Sequence, residues 1–370
     1  MQQKPQNGDS DKELVEAFVR ALQEATSFKV APERHFAVSF QALEGTQRLD
    51  ALLALEDVAP PVWLAIEILR QGYPRDIKNA LWRLDEYART LSPEKNVLPV
   101  VLAQHLSPGA RHLLRGRNVA FYDAGDSLFL RHGTVVVDIE RRAAPPPRSR
   151  PLSLFSGARE QVVHALLHSE GAWITGKDLA LQAQTSAFTV SRTLSELERM
   201  EWVQAEGGGR TARRRLLQPA QLLDAWAEAW KARKEARSRW FFFASNPRLL
   251  PDTVAQALQS AGFEDWAITG AAAGNALAPL LTAVDTVDLI VPAGSAARLA
   301  EAAGAKRADQ GANLTFIERS GASGLFRRPD PDHPDTPLAS PYVIYLDLLK
   351  DDRGRNKELA AQLRSTLLKI

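Results

Sequence analysis

Between Ala187 and Leu197 the apolar residues Ala187, Val190, Leu194 and Leu197 recur at helical spacing, while Phe188, Thr189, Ser191, Arg192, Ser195 and Glu196 fall on the other side. That spacing predicts a helix with one buried face and one mixed face of hydroxyl, aromatic and charged groups. Ser186 stands where an N-cap is needed, since its hydroxyl can accept from a first-turn amide that has no helical partner. A polar turn, Gln184-Thr185, separates this helix from a shorter one in GKDLALQAQ, which Thr175 opens with Asp178 three positions on. Upstream, Ser156 to Glu170 carries Val162, Val163, Leu166 and Leu167 inward and stops at Gly171, the residue a left-handed helix end favours. Trp173-Ile174 reads as a short strand between them. The order is helix, strand, helix, turn, helix.

Downstream, Trp202-Val203-Gln204-Ala205 and Arg214-Arg215-Leu216-Leu217 flank EGGGRT, Glu206 to Thr211, a hairpin whose tip is glycine and arginine. The major groove of B-DNA admits one helix whose side chains read base edges, and a basic hairpin can reach the neighbouring phosphates. The segment LALQAQTSAFTVSRTLSELERMEWV resembles winged helix-turn-helix transcriptional regulators along its whole length, which implies double-stranded DNA as partner. Ser186, Phe188, Thr189, Ser191 and Arg192 are the candidates for base or phosphate contact from the helix, and Arg210, Arg213, Arg214 and Arg215 for phosphate contact from the hairpin. The bland alternatives are a solvated basic face and a winged helix that binds protein. Phe188 could meet a thymine methyl, a second copy of the chain or the edge of the core.

The chain has 370 residues, enough for two or three domains. Its net charge of +2 hides an uneven distribution. Met1 to Glu140 holds 16 basic and 19 acidic residues (−3), Arg141 to Trp240 holds 17 and 10 (+7), and Phe241 to Ile370 holds 13 and 15 (−2). A basic middle between mildly acidic flanks suits a nucleic-acid reader. Absence of cysteine removes disulfides, thiolate metal sites and cysteine nucleophiles together, which fits the cytosol. The most apolar stretch, Ala51 to Leu69, is broken by Glu56, Asp57 and Glu67, and the first residues lack an apolar core. Neither a membrane span nor a secretory signal is expected, so the location is cytoplasmic.

Composition shifts divide the chain into a disordered tail (1–12), an α/β domain (13–140), a Pro/Arg linker (141–155, beginning RRAAPPPRSRP), the helix-turn-helix with its hairpin (156–218), a helix (219–239) and a second α/β domain (240–370). The expected fold class is therefore α/β and α+β multidomain. The 219–239 helix carries Leu222, Leu223, Trp226 and Trp230 at helical spacing, fit for packing between domains or for the seam of a homodimer. His164 and His168 lie one turn apart with Glu160 a turn before, but Ala165 stands where the zinc-protease pattern needs Glu. Ordinary helix histidines are the simpler reading.

In the first domain short apolar runs at Ala37–Phe40, Ala51–Leu55, Val62–Leu69, Val97–Ala103, Val119–Tyr122, Leu128–Leu130 and Thr134–Ile139 read as strands, and Asp76–Arg89 as a helix. A strand with Asp50, a turn with Pro60-Pro61, a strand with Glu67, then a helix and a strand resemble the PD-(D/E)XK restriction-endonuclease-like fold. The resemblance implies that Asp50 and Glu67 would hold Mg²⁺ for nucleic-acid cleavage, with a lysine two positions after the Glu. That position is Leu69, so a degenerate domain is expected, with Arg70 and Lys78 as the nearest substitutes. The rival reading is a plain scaffold in which Asp50 ends a strand and Glu67 pairs with an arginine.

In the last domain Ile268-Thr269-Gly270, an Ala-rich helix, and Val287-Asp288-Leu289-Ile290-Val291-Pro292 resemble the opening of a nucleotidyltransferase-like domain. Active members place two Asp residues two apart on the strand, so that both point to one face and bind metal. Here Ile290 occupies the second position, Asp285 faces away, Ala271 replaces the serine after the glycine, and Asp347 in YVIYLDLL is left as a third-strand carboxylate. ITGAAAGNALAPLL…VDLIVP together with PYVIYLDLLKDDRGRNKELAAQLRSTLL resembles AbiEi-like antitoxins of type IV toxin-antitoxin systems. These are bacterial regulators joining a winged helix to a degenerate nucleotidyltransferase-like domain. The resemblance implies a transcriptional regulator that represses its own promoter and a nucleotidyltransferase toxin encoded nearby. A dimer on an inverted repeat is the expected mode of repression, and Leu69 and Ile290, standing where a lysine and an acid are needed, predict no enzymatic activity and no cofactor. A metal-dependent nuclease working through Asp50 and Glu67, and a protein-binding adaptor, are the competing expectations.

Overall fold

The computed structural model describes residues 8–26, 28–43, 45–56, 62–91, 96–140, 153–351 and 354–370, apart from the side chain of Arg210. Of the expected tail, 1–7 lie outside the described residues and Gly8 onward is already helix; of the expected linker, 141–152 lie outside them, as do Asp57, Pro60 and Pro61. The chain forms two compact units, residues 1–150 with 199–201, and residues 151–198 with 202–370.

The first unit is a seven-stranded mixed sheet whose strands lie in chain order. Its elements are α1 (Gly8–Ala25), β1 (His35–Ala42), β2 (Gly45–Leu55), β3 (Val62–Gly72), α2 (Pro74–Arg89), β4 (Asn96–Leu106), α3 (Pro108–Gly116), β5 (Ala120–Asp123), β6 (Ser127–His132) and β7 (Val135–Ile139). The first three strands form an antiparallel meander, β3, β4 and β5 run parallel, and β6 and β7 turn back antiparallel. Parallel neighbours need a crossover, which α2 and α3 supply. Both helices begin with proline at the first turn behind a local cap: the Tyr73 amide donates to Asp76 at 3.1 Å and the Ala110 amide donates to Ser107 at 3.3 Å. Two cores result: α1 covers one face of the sheet through Leu14, Val15, Phe18 and Leu22, while α2 and α3 cover the other through Ile77, Ala80, Leu81, Leu84 and Leu114. With helices on both faces the middles of the central strands are buried on both sides, and so the centres of β3 and β4 read as largely apolar runs.

The second unit opens with α4 (Gly157–His168), β8 (Ile174–Thr175), α5 (Gly176–Gln182), α6 (Ala187–Arg199), β9 (Val203–Glu206), β10 (Arg213–Leu216) and α7 (Pro219–Lys231). The three strands form one antiparallel sheet in the order β8-β10-β9. Gly207 (φ +76°) and Gly209 (φ +58°) supply the left-handed conformations that the β9–β10 connection requires. The helix expected over 219–239 ends at Lys231, and residues 236–241 form β11 (Ala236–Phe241). The apolar stripe explains the stop: it runs to Trp230, and the next position is Arg233, which lies 4.3 Å over the Trp230 ring instead. Leu222, Leu223, Trp226 and Trp230 are all buried in the chain's own core, so this stripe offers no seam to a second copy.

The remainder comprises α8 (Leu250–Ser260), β12 (Ala267–Thr269), α9 (Gly270–Leu277), β13 (Val287–Val291), α10 (Ala296–Ala302), β14 (Lys306–Arg307), β15 (Leu314–Glu318), β16 (Arg328–Pro329), β17 (Pro337–Leu338), α11 (Pro341–Lys350) and α12 (Asn356–Leu363). With β11 they build a second seven-stranded sheet, order β14-β11-β15-β13-β12-β17-β16. Pro341–Lys350, expected as a strand, is a helix. Ser340 accepts from the Tyr342 amide at 3.3 Å, Pro341 sits in the first turn, and the run is buried all round, a pattern in which strand and helix look alike.

Candidate nucleic-acid interface

The outer face of α6 is anchored from both ends. At its start the Thr189 amide donates to Ser186 Oγ at 3.2 Å, and the two hydroxyls lie 3.0 Å apart, so Ser186 and Thr189 spend much of their capacity on the cap. Val190, Thr193, Leu194 and Leu197 are buried, and Ala187, expected in the stripe, is exposed. What remains outside is Phe188, Ser191, Arg192 and Ser195. Phe188 is 69% exposed, a large value for an aromatic ring, and the Arg192 guanidinium lies 5.7 Å over it one turn later.

The acidic residues of α6 are neutralised within the chain. Arg159, from the first turn of α4, donates to Glu196 at 2.6 Å, and Arg214 donates to Glu198 at 3.1 Å. The three arginines of β10 therefore divide, as strand alternation requires. Arg214 turns inward to α6, whereas Arg213 is exposed, with Glu206 as a loose partner at 3.8 Å. Arg215 donates to Gln204 at 3.0 Å and lies 4.9 Å over the Trp173 ring. The backbone of Arg210 is in the turn between β9 and β10, and its side chain lies outside the described residues. Sequence reasoning missed Arg159 and Trp173 because neither lies in the motif; each acts across space on a motif residue. The face that results is basic and aromatic, with its carboxylates already paired.

Asp50 and Glu67 lie on neighbouring strands, β2 and β3, Asp50 within its strand rather than at the end. Asp50 accepts from the Ile68 amide at 2.7 Å. Glu67 is buried and receives both Nε (2.9 Å) and Nη2 of Arg83 from α2. Burial lowers the Arg83 pKa, but the bond and charge of Glu67 and the charge of Asp50 outweigh it and raise the value, so the guanidinium stays charged. The basic group that α2 brings to Glu67 is thus Arg83, rather than Lys78. A guanidinium fills this place, and it cannot take a proton from water as a lysine amine can.

In the second unit Asp288 sits on β13 beside the start of α9, where a Cβ on Gly270 would come within 2.9 Å of Asp288 Oδ2. Ile290 is buried. Asp347, on α11, accepts from Trp230 Nε1 (2.9 Å), Thr269 Oγ1 (2.6 Å) and both terminal nitrogens of Arg319 (2.7 and 2.8 Å). Arg319 is shared with Glu235, whose pKa burial would raise but which Arg319 and Lys350 hold down at about 2. Asp347 and Glu235 thus hold protein cations. Among the described residues no group of three His, Asp or Glu side chains could hold a metal ion.

His164 and His168 are packed where α4 meets the C-terminal sheet and its helices, ring on ring with Phe326 and Tyr342. His164 Nδ1 is 2.8 Å from the Ala322 carbonyl and so carries the proton; its Nε2, 2.6 Å from Ser340 Oγ, accepts. The serine oxygen is then free to accept from His168 Nε2 at 3.1 Å. Burial lowers the His164 pKa to about 3, with the charge of His168 adding to the effect; burial, then Arg328, lowers that of His168 to about 4.

Among the described residues no helix is long and apolar enough to cross a membrane. Neither the curated proteins nor the solved structures gave a significant match. From β10 to the last helix, residues 215–369, the chain matches the family model described as transcriptional regulator, AbiEi antitoxin, type IV TA system.

Proposed function

We propose that this chain is a sequence-specific, double-stranded-DNA-binding regulator that represses its own promoter as the antitoxin of a type IV toxin-antitoxin pair. In this reading residues 156–218 are a winged helix: α6 enters the major groove, and the β9–β10 hairpin rests on phosphate through Arg213 and Arg210. The C-terminal sheet is a nucleotidyltransferase-like domain whose Asp347 holds Arg319, and the first unit is a restriction-endonuclease-like scaffold without its chemistry. A cognate toxin of the nucleotidyltransferase type and a second copy of the chain are the expected partners.

One observation carries the reading. The carboxylates of α6 are paired to Arg159 and Arg214, so the face bearing Arg192 has its charge uncancelled where a groove would lie. The test is titration of labelled DNA from the gene's own upstream region at several salt concentrations. The slope of log affinity against log salt should fall by about one when Arg213 becomes Ala. Arg192→Ala should weaken binding and reduce discrimination against unrelated DNA by about tenfold or more. Affinity independent of salt in the wild type would sink DNA binding and favour an adaptor.

A further inference from the structure

We infer that Phe188 reads the C5 methyl group of thymine, and that it does so as a unit with Arg192, which takes a guanine one or two base pairs away. The inference rests on the DNA-binding reading and names what that site selects.

Phe188 lies in the first turn of a helix whose buried stripe is already complete in Val190, Leu194 and Leu197. The ring is therefore not a displaced core residue. It is 69% exposed on the same face as Ser191, Arg192 and Ser195, and the Arg192 guanidinium lies 5.7 Å over it as a cation-π partner. A benzyl side chain can neither bind phosphate nor hydrogen-bond a base edge. The one apolar group that the major groove offers is the thymine methyl.

Arg192 completes the geometry. Four residues of helix advance about 6 Å, close to two base-pair steps, and a planar guanidinium stacked on an aromatic ring gives up less freedom when it docks. Arginine's best partner in the groove is the guanine O6 and N7 pair. A Phe and an Arg held one turn apart on a helix fixed by the Ser186 cap and by the Glu196 and Glu198 ion pairs thus select a thymine beside a guanine.

The experiment compares the upstream-region duplex made with thymine and the same duplex made with deoxyuridine, which differs by that methyl alone. Wild-type protein should bind the uracil duplex about fourfold more weakly per contacted thymine, the value of one buried methyl group. Phe188→Ala should bind both duplexes equally, while Arg192→Ala should weaken on both and keep the ratio. Equal binding of both duplexes by the wild type overturns this inference and leaves DNA binding intact. So does a full uracil penalty in Phe188→Ala, which would place the methyl contact elsewhere. A Phe188→Ala protein that sediments as monomer where the wild type is dimer, with no methyl dependence in either, assigns the ring to a contact between copies and likewise overturns it. Failure to bind either duplex removes the proposed function together with this inference.

Discussion

At the scale of single residues, charge partners decide which arginines are available. Arg213, Arg214 and Arg215 are equivalent in sequence, yet alternation along β10 turns Arg214 to Glu198 and leaves Arg213 in solvent. Arg214→Ala should therefore lower stability by about 1 kcal/mol in urea unfolding, with Arg213→Ala within about 0.5 kcal/mol of wild type. Equal losses would mean that the two side chains share one environment. The buried histidines make a second prediction. Each stays a neutral imidazole with a single ring proton in the fold, whereas the unfolded chain takes up the second proton near pH 6.5. Their contribution is present above that value and is lost as pH falls through 6.5 toward 4. Between pH 7 and pH 5 the loss amounts to about 2 kcal/mol for each histidine. In that window Glu235 stays ionised folded and largely ionised unfolded, so it does not mask the effect. His168→Gln, which retains a donor toward Ser340, should remove roughly half of the pH dependence; a flat stability curve over this range would refute the neutral tautomers. None of this was legible in HALLH, whose spacing shows two histidines on one face but not that Ser340, far along the chain, divides its hydroxyl between them.

At the scale of elements, legibility followed how strongly each pattern committed to one period. All seven strands of the first sheet stand where short apolar runs placed them, because helices on both faces make such runs unambiguous once their length is short. In YVIYLDLL burial on every side of α11 erased the helical period, so the helix looked like a strand. In 219–239 basic residues continue past the point at which the apolar stripe ends, which hid the helix end at Lys231. The α7 stripe itself was visible, but its destination was not. Trp226 and Trp230 pack edge to face at 5.7 Å, and their indole nitrogens donate at 2.9 Å to Glu160 of α4 and to Asp347 of α11. One helix thus joins the helix-turn-helix segment to the C-terminal core. Trp230→Ala should cost about 3–5 kcal/mol, from the cavity and from the partner it deprives. A single cooperative loss of signal from both segments should accompany it. Separate transitions for the two would show that α7 does not couple them.

At the scale of the whole molecule, the +7 of the middle block divides unequally. Arg141, Arg142, Arg148 and Arg150 contribute four of these charges without any acid among residues 141–150, so 151–240, with 13 basic and 10 acidic residues, is left with +3. Several of those 13 are paired internally, Arg159 and Arg214 among them. On the proposed function, sequence-independent attraction to phosphate would then reside to a large extent in the four arginines of 141–150, and base discrimination on α6. The two can be separated by experiment, since each phosphate neutralised adds about 0.9 to the salt slope while base contacts add none. Replacing Arg141, Arg142, Arg148 and Arg150 by Ala should reduce the slope by up to about 3.6 and leave the ratio of upstream-region to unrelated DNA binding unchanged. Arg192→Ala should do the reverse, cutting that ratio with a change in slope of less than one. If the linker variant instead lost discrimination, the arginines of 141–150 would themselves be reading sequence, and α6 would no longer be the sole source of specificity.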